Sequence, residues 1–350
     1  MNATPMNAPP TNALGKDRVP VLVLTGFLGS GKTTLLNALL KSPALKDAAV
    51  IINEFGEIGI DHLLVETAFE DAVLLKSGCI CCTVRGDLVD TLDMLWGRRT
   101  RGEIPPFARV VIETTGLAEP GPILRTLMTD AGIAEHYRLD GIVSTVDAVN
   151  GEGQLDRQPE SVQQAAMADR LVLTKTDLAD AGGIERLTAR LKELNPAAPL
   201  FRAVNGEIDA GRLLDVGLYD PRRREADLTR WLSEAAYDED HHHHDVNRHG
   251  ADIRAFCITR DRPLDWPKLR AWLEALTSLR GADLLRLKGV VNVAGVRGPV
   301  VLHGVQHVFH PPTQLKDWPA GDDRRTRLVF IVRNIEKAAV EQSLDAALQG

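Results

Sequence analysis

Pro20–Thr34, PVLVLTGFLGSGKTT, is the stretch from which the fold is read. Its first part, PVLVLT, is a continuous apolar run of the kind that forms a strand buried on both faces. Its second part, GFLGSGKTT at Gly26–Thr34, fits G-x-x-x-x-G-K-[ST] and runs into an amphipathic stretch, Lys32–Lys41. A buried strand, a glycine-rich turn and a helix in that order predict a phosphate-binding loop. Gly26, Gly29 and Gly31 let backbone N–H groups turn inward around phosphate oxygens, and Ser30 and Thr34 belong to the same cradle. Lys32 is placed to set its ammonium on the β and γ phosphates, and Thr33 to offer a hydroxyl to Mg²⁺. The helix N-terminus adds a favourable dipole field for the anion.

Outward from this loop, short Val/Ile/Leu-rich runs alternate with helical patterns. The runs are Ala48–Asn53, Ala72–Ser77, Ala108–Thr114, Asp140–Ala148, Arg170–Asp177 and Pro199–Val204. They are mostly continuous rather than alternating, which fits parallel strands. Amphipathic stretches at Leu88–Arg98, Gly121–Thr129 and Ile184–Leu194 lie between them. The expectation is an α/β fold, a P-loop NTPase with a doubly wound, mostly parallel sheet.

The pattern breaks after Leu218. Residues 219–250 are charged and end in a low-complexity run, with one short helical candidate at Leu228–Ala236; they read as a linker. A second unit follows. Ile253–Thr259 alternates like a half-buried strand, and a proline-started helix covers Trp266–Leu279. LLRLKGVVNVAG, GPVVLHGVQHVF and RLVFIVR read as strands, and IEKAAVEQSLDAAL as a closing helix. This order predicts a smaller C-terminal α+β domain whose antiparallel sheet has one face covered by helices. The expected organisation is therefore a disordered tail at 1–18, a P-loop domain at 19–218, the linker at 219–250 and the α+β domain at 251–350.

Composition agrees with a two-domain globular chain. Among 350 residues, 41 Lys and Arg against 48 Asp and Glu give a net charge of −7. That argues against a bulk electrostatic grip on nucleic acid or on an anionic membrane. No apolar run approaches the roughly 18 residues of a membrane span. The first 18 residues lack the apolar core of a secretory signal, so a cytoplasmic location is expected.

Two further segments point to the nucleotide. Arg170–Leu178, RLVLTKTDL, places Thr174, Lys175 and Asp177 just past a strand. A carboxylate there can accept two hydrogen bonds from the guanine edge, which adenine cannot supply. Lys175 would lay its aliphatic stem across the base. Thr174 stands where an N-K-x-D motif has Asn, keeping a hydroxyl and losing the amide. ARVVIETTG ends a strand at Glu113 and brings up Gly116, whose N–H can face the γ-phosphate. Glu113 would hold Mg²⁺ through water or order the attacking water; the residues leave both open.

Three of the 4 cysteines fall together in SGCICCT: Cys79, Cys81 and Cys82. Three thiolates can hold Zn²⁺ or Cu⁺. Successive residues of a regular strand face opposite ways, so Cys81 and Cys82 share one ion only if the backbone bends. Gly78 and an expected helix start at Thr83–Asp87 would supply the bend. Three local ligands leave the shell incomplete, as a transfer site requires, and Glu57 is a nearby carboxylate candidate. His241, His242, His243 and His244 form a second, weakly binding run in the linker. Cys257 reads as core, and His303, His307 and His310 as residues on the surface of the second sheet.

Taken together, GFLGSGKTT, NEFGEIGID, GCICC, ETTGLAEPGP, LDGIVSTVDA and LTKTD, in that order, resemble the P-loop GTPases of the CobW type. The resemblance implies coupling of GTP binding and hydrolysis to the handling of a transition metal, with GTP or GDP, Mg²⁺ and Zn²⁺ (or Co²⁺) as ligands. Its implied partner is a client metalloprotein, with no nucleic acid or membrane involved and a homodimer as one option. Carried over residue by residue, Gly26–Thr34 would bind phosphates and Mg²⁺, Thr174–Asp177 would read guanine and the three clustered cysteines would bind metal. Some relatives have a Glu immediately before the N-E-F-G segment; here that place is Ile52, which leaves the outer metal ligands unassigned. Cobalt or nickel insertion and a passive Cys/His metal buffer are the competing readings.

Overall fold

The structure is a computed structural model. It describes residues 18–53, 65–69, 72–75, 80–83, 88–214, 253–319 and 321–349. Two compact units divide the chain, the larger holding residues 18–190 and 198–214 and the smaller holding 191–197 and 253–349.

The larger unit contains strands β1 (Val19–Gly26), β2 (Ala48–Asn53), β3 (Val65–Phe69), β4 (Ala72–Leu75), β5 (Ile80–Thr83), β6 (Arg109–Thr114), β7 (Tyr137–Asp147), β8 (Arg170–Thr174) and β9 (Leu200–Ala203). They form one sheet in the order β3-β4-β5-β2-β6-β1-β7-β8-β9. From β5 to β9 along that order every pairing is parallel. This is the α/β, mostly parallel sheet expected from the sequence. β1 lies between β6 and β7, so the chain leaves its carboxyl end where the strand order reverses, the usual crevice for a ligand in an open α/β sheet. The helices are α1 (Lys32–Leu39), α2 (Leu88–Thr100), α3 (Pro120–Thr129), α4 (Ala131–His136), α5 (Gly151–Arg157), α6 (Pro159–Met167) and α7 (Ala181–Leu194).

Burial explains the position of α1. Leu35, Leu36 and Leu39 pack into a core with Leu22, Leu24, Val50, Val111 and Val143. Burying each leucine contributes about 1.5–3 kcal/mol, enough to hold a helix of eight residues that would not persist alone.

Two strand expectations need correction. Ala72–Leu75 is not one of the parallel strands: β4 runs antiparallel to both β3 and β5 at the sheet edge. Antiparallel neighbours can be joined by a short turn and need no crossover helix, so its apolar run alone did not give its direction. The second correction concerns the cysteines. Ile80–Thr83 is a strand, in parallel register with β2 (Val50 opposite Cys81, Ile51 opposite Cys82) and antiparallel register with β4. The ladder runs through both cysteines, so the bend expected between them is absent. Among the described residues helix α2 covers Leu88–Thr100, and residues 84–87 of the expected helix start lie outside them. Helices α4, α5 and α6 were not anticipated; they are short, and their apolar residues read as connections.

The smaller unit contains β10 (Ile253–Arg260), β11 (Leu284–Val291), β12 (Val300–Val305), β13 (Val308–Phe309), β14 (Thr313–Gln314) and β15 (Thr326–Arg333), with helices α8 (Trp266–Arg280) and α9 (Lys337–Gln349). The pairings are antiparallel in the order β10-β15-β11-β12-β13, with β14 beside β12. Leu269 and Leu273 of α8 and Val340 and Leu344 of α9 share one core with Phe256, Leu287, Leu302 and Phe330. Both helices thus cover the same face of the sheet, as the smaller α+β domain requires. GPVVLHGVQHVF is two strands rather than one, split at Gln306, whose φ of 50° turns the chain. His303 and His310 are buried, not on an exposed surface, with ring centroids 5.0 Å apart. His307 sits nearby with Nδ1 3.0 Å from the Thr277 carbonyl.

Cys79, Glu57, His241–His244, the tail to residue 17 and the 219–250 linker lie outside the described residues. Among the described residues no helix is long and apolar enough to cross a membrane.

Candidate nucleotide and metal site

The phosphate loop is held by its neighbours before any ligand arrives. Gly26 has φ 143°, and a Cβ there would sit 2.2 Å from Thr145 Oγ1 and 2.5 Å from the Thr145 carbonyl. Only glycine tolerates that approach. Ser30 is buried, and its hydroxyl lies 2.7 Å from the hydroxyl of Thr145 on β7. Gly29 and Gly31 both have positive φ, and Gly31 caps α1, so the loop turns there into the helix. Thr34, on the first turn, is exposed. Lys32 Nζ donates to the carbonyls of Gly26 (2.9 Å) and Phe27 (3.1 Å). The lysine therefore bridges the loop it would share with a phosphate.

Thr33 and Glu113, 80 positions apart in the chain, meet directly. The Thr33 hydroxyl donates to Glu113 Oε1 at 2.7 Å. Glu113 is buried at the end of β6. A hydroxyl and a carboxylate oxygen at this spacing form a hard-oxygen pair beside the phosphate loop, which fits a Mg²⁺ shell. Behind them the Thr114 hydroxyl donates to Thr25 Oγ1 at 2.9 Å, tying β6 to β1. Gly116 is pressed against the phosphate loop: a Cβ there would lie 2.6 Å from the Leu28 nitrogen.

At the other end of the loop, Thr174 closes onto the phosphate cradle. Its hydroxyl donates to the Ser30 carbonyl at 2.7 Å, with the Val146 carbonyl at 3.3 Å. Thr174 thus links the Thr174–Asp177 segment to the Gly26–Thr34 loop, and the amide lost relative to Asn is not needed for that link. Lys175 has φ 54°, and its ammonium donates to Asp147 Oδ2 at 2.7 Å. Asp177 follows in an exposed turn closed by the Leu178 N–H on the Lys175 carbonyl.

Asp147 was not singled out from the sequence. It is buried at the end of β7 and also accepts from the Val149 and Asn150 backbone N–H groups and from Asn150 Nδ2. Burial by itself would raise its pKa. The hydrogen bonds from Lys175, from the Asn150 side chain and from the two backbone N–H groups outweigh burial and hold it below the ordinary carboxylate value. The signal lay in VDAVN, an Asp just past an apolar run with Asn three residues on, the pattern of a side chain that closes its own turn. Gln163 and Gln164 were missed as well. They are buried on α6 and reach the ETTGL loop, and the tandem amide pair in an otherwise apolar stretch was the available clue.

The cysteine strand lies close to this centre in register. Thr83 of β5, Ile52 of β2 and Glu113 of β6 occupy one row across the sheet, and Cys82 is one row behind. Two strand spacings separate β5 from β6, about 10 Å. No group of three or more His, Cys, Asp or Glu able to hold a metal occurs among the described residues. Glu57, Cys79 and the histidine run are outside that set.

Residues 20–202 match the domain described as "CobW/HypB/UreG, nucleotide-binding domain", and residues 253–348 match "Cobalamin synthesis protein cobW C-terminal domain". The chain is 34% identical to the zinc chaperone YjiA of Escherichia coli over 89% of its own length and 93% of that protein's. It is 30% identical to the zinc chaperone CobW of a Sinorhizobium species over 96% and 99% of the two lengths. Its fold is similar to the crystal structure of Zn(II)-bound YjiA GTPase from E. coli, with a TM-score of 0.75, 31% identity and coverage of 95% of this chain and 99% of the other.

Proposed function

This chain belongs to the CobW family of nucleotide-binding proteins, and from that membership we propose that it hydrolyses GTP in the cytoplasm and uses the cycle to carry Zn²⁺ to a client metalloprotein. The observation that carries the nucleotide half is the Thr174–Ser30 hydrogen bond, which fixes the base-reading strand end against the phosphate loop. Lys175 then offers its stem to the base, and Asp177 offers its carboxylate to the guanine edge. Gly26–Thr34 receives the phosphates. Lys32 leaves the Gly26 and Phe27 carbonyls for the β and γ phosphates. Gly116 brings the loop after β6 to the γ-phosphate.

Mg²⁺ held beside Thr33 and Glu113 would neutralise charge on the phosphates. Glu113 fits the role of orienting Thr33 and the waters of that shell, because Thr33 already donates to it. Zinc would be cargo at Cys79, Cys81 and Cys82, with Glu57 and His241–His244 as accessory ligands. The regular ladder at Cys81 and Cys82 makes a compact three-thiolate site dependent on rearrangement of β5, and β5 is separated from Glu113 by β2 alone. A change at the γ-phosphate therefore has one strand to cross before it reaches the cysteines.

The test is a Zn²⁺ titration of tag-free protein with GDP and with a non-hydrolysable GTP analogue. Coupling requires that the affinity differ between nucleotides and that Zn²⁺ shift nucleotide affinity by the same factor. Equal zinc affinity in both states would leave a passive buffer instead. Repeating the titration with Co²⁺ identifies the preferred cargo.

A further inference from the structure

The loop after β6 is clamped from both sides. On one side Gly116 meets the backbone of Leu28. On the other, Gln164 of α6 donates from Nε2 to the Gly116 carbonyl at 3.1 Å and to the Ala118 carbonyl at 3.0 Å. Next to it, Gln163 Nε2 donates to Glu119 Oε1 at 3.2 Å. Gln164 is 1% exposed and Gln163 4%, so water does not share these bonds. All three partners are acceptors, which fixes the orientation of both amides. Oε1 of each glutamine meets no donor among the described residues. A buried amide that leaves its own acceptor unpaired costs stability, and a packed apolar residue would avoid that cost.

We propose that Gln164, supported by Gln163, is the positioning residue that keeps the Thr115–Glu119 loop set for a γ-phosphate and so favours GTP over GDP. The inference rests on the phosphate-site reading above. A peptide unit is planar and trans, so its C=O and N–H point in opposite directions. Drawing the Gly116 carbonyl onto Gln164 aims the Leu117 N–H away from α6. Holding the Ala118 carbonyl fixes the Ala118–Glu119 peptide plane in the same way. The loop is thus prepared before nucleotide binds, and little ordering cost is left to the γ-phosphate. GDP does not reach this loop, so its binding does not depend on the clamp.

The test uses the full chain carrying Gln164→Leu, which keeps the volume and removes the donors. We expect a GTP analogue to bind roughly 10-fold more weakly and kcat to fall by a similar factor, with GDP affinity within about twofold of wild type. Equal weakening for both nucleotides, or no change in either, overturns the proposal, and so does a lowered melting temperature without a shift in the GTP/GDP ratio. If Gln164→Leu does not fold, Gln164→Asn retains the amide but shortens its reach, and the same ratio decides. Lys32→Ala separates the two levels. It removes both nucleotides if the phosphate site is where we place it, and retention of GTP by that variant refutes the site itself. An unshifted ratio in the Gln164 variants refutes the clamp alone.

Discussion

The two ends of the nucleotide site are built differently. The phosphate end is held by glycine contacts and hydroxyl hydrogen bonds, and its lysine is bonded to the loop's own carbonyls. The base end is held by an ion pair, Lys175 with the buried Asp147, and by Thr174 on Ser30. At the phosphate end, ligand must displace an internal contact of Lys32. At the other end, proposed to meet the base, Thr174 and Lys175 are already held. A group that must be released serves catalysis and exchange, whereas a group that is preset serves selection.

The sharpest way to break this contrast is Lys32→Ala. Loss of the ammonium should remove binding of both GTP and GDP at concentrations that saturate wild type, and turnover at those concentrations should fall by about 100-fold or more. A phosphate-release assay checks it, and near-normal turnover would place the phosphate site elsewhere. Gly116→Ala comes next. Its methyl would collide with the Leu28 backbone, so the loop must shift by several tenths of an ångström. Hydrolysis should fall about 10- to 100-fold with GDP affinity preserved. Equilibrium binding beside turnover separates the two effects.

Asp147→Asn probes the base end. It removes the carboxylate that holds Lys175, and GTP affinity should fall about 10-fold while ITP, which lacks the exocyclic amine, falls in parallel. A loss specific to one of them would mean that Asp147 acts on the base rather than through Lys175. The same variant has a pH signature. Because the folded-state pKa of Asp147 is depressed, its contribution to stability is present above the unfolded value near about 3.9 and is lost as pH falls through the lower folded value. Acid unfolding of wild type should therefore be steeper below about pH 4 than that of Asp147→Asn. Circular dichroism against pH measures it. Thr174→Asn should do least, changing GTP affinity by about threefold or less, because Asn also carries a donor able to reach Ser30. A larger loss would show that the hydroxyl geometry itself matters.

Much of this was legible in the sequence, for identifiable reasons. The strand–loop–helix at Pro20–Thr34 is local, and glycines at close approach leave a sharp pattern. Thr174–Asp177 was legible because its four residues lie together just past a strand. The cysteines were legible as a cluster but not as a ladder: C-x-C-C spacing gives ligand types, whereas the pairing of Cys81 and Cys82 with Val50 and Ile51 depends on a distant strand. His303 was misplaced for the same reason, since alternation along β12 does not say whether its second face is covered, and His310, just past β13, is brought back to it by the hydrogen bond of its N–H to the His303 carbonyl. For Asp147, Gln163 and Gln164 the local clue did not give the role, because Lys175, Glu119 and Gly116 lie 28, 44 and 48 residues away from them.

The sequence by itself determined the glycine-rich loop, the parallel architecture around it, the change to an antiparallel second domain and the residue types proposed to meet nucleotide and metal. Those features follow from local backbone preference and hydrophobic period, which a short window contains. Tertiary structure decided which donors found which acceptors: Thr33 on Glu113, Thr174 on Ser30, Lys175 on Asp147 and Gln164 on Gly116. Buried polar groups must be paired, but several partners would satisfy each of them. Strand order and helix packing choose among those partners, and no local pattern carries that choice.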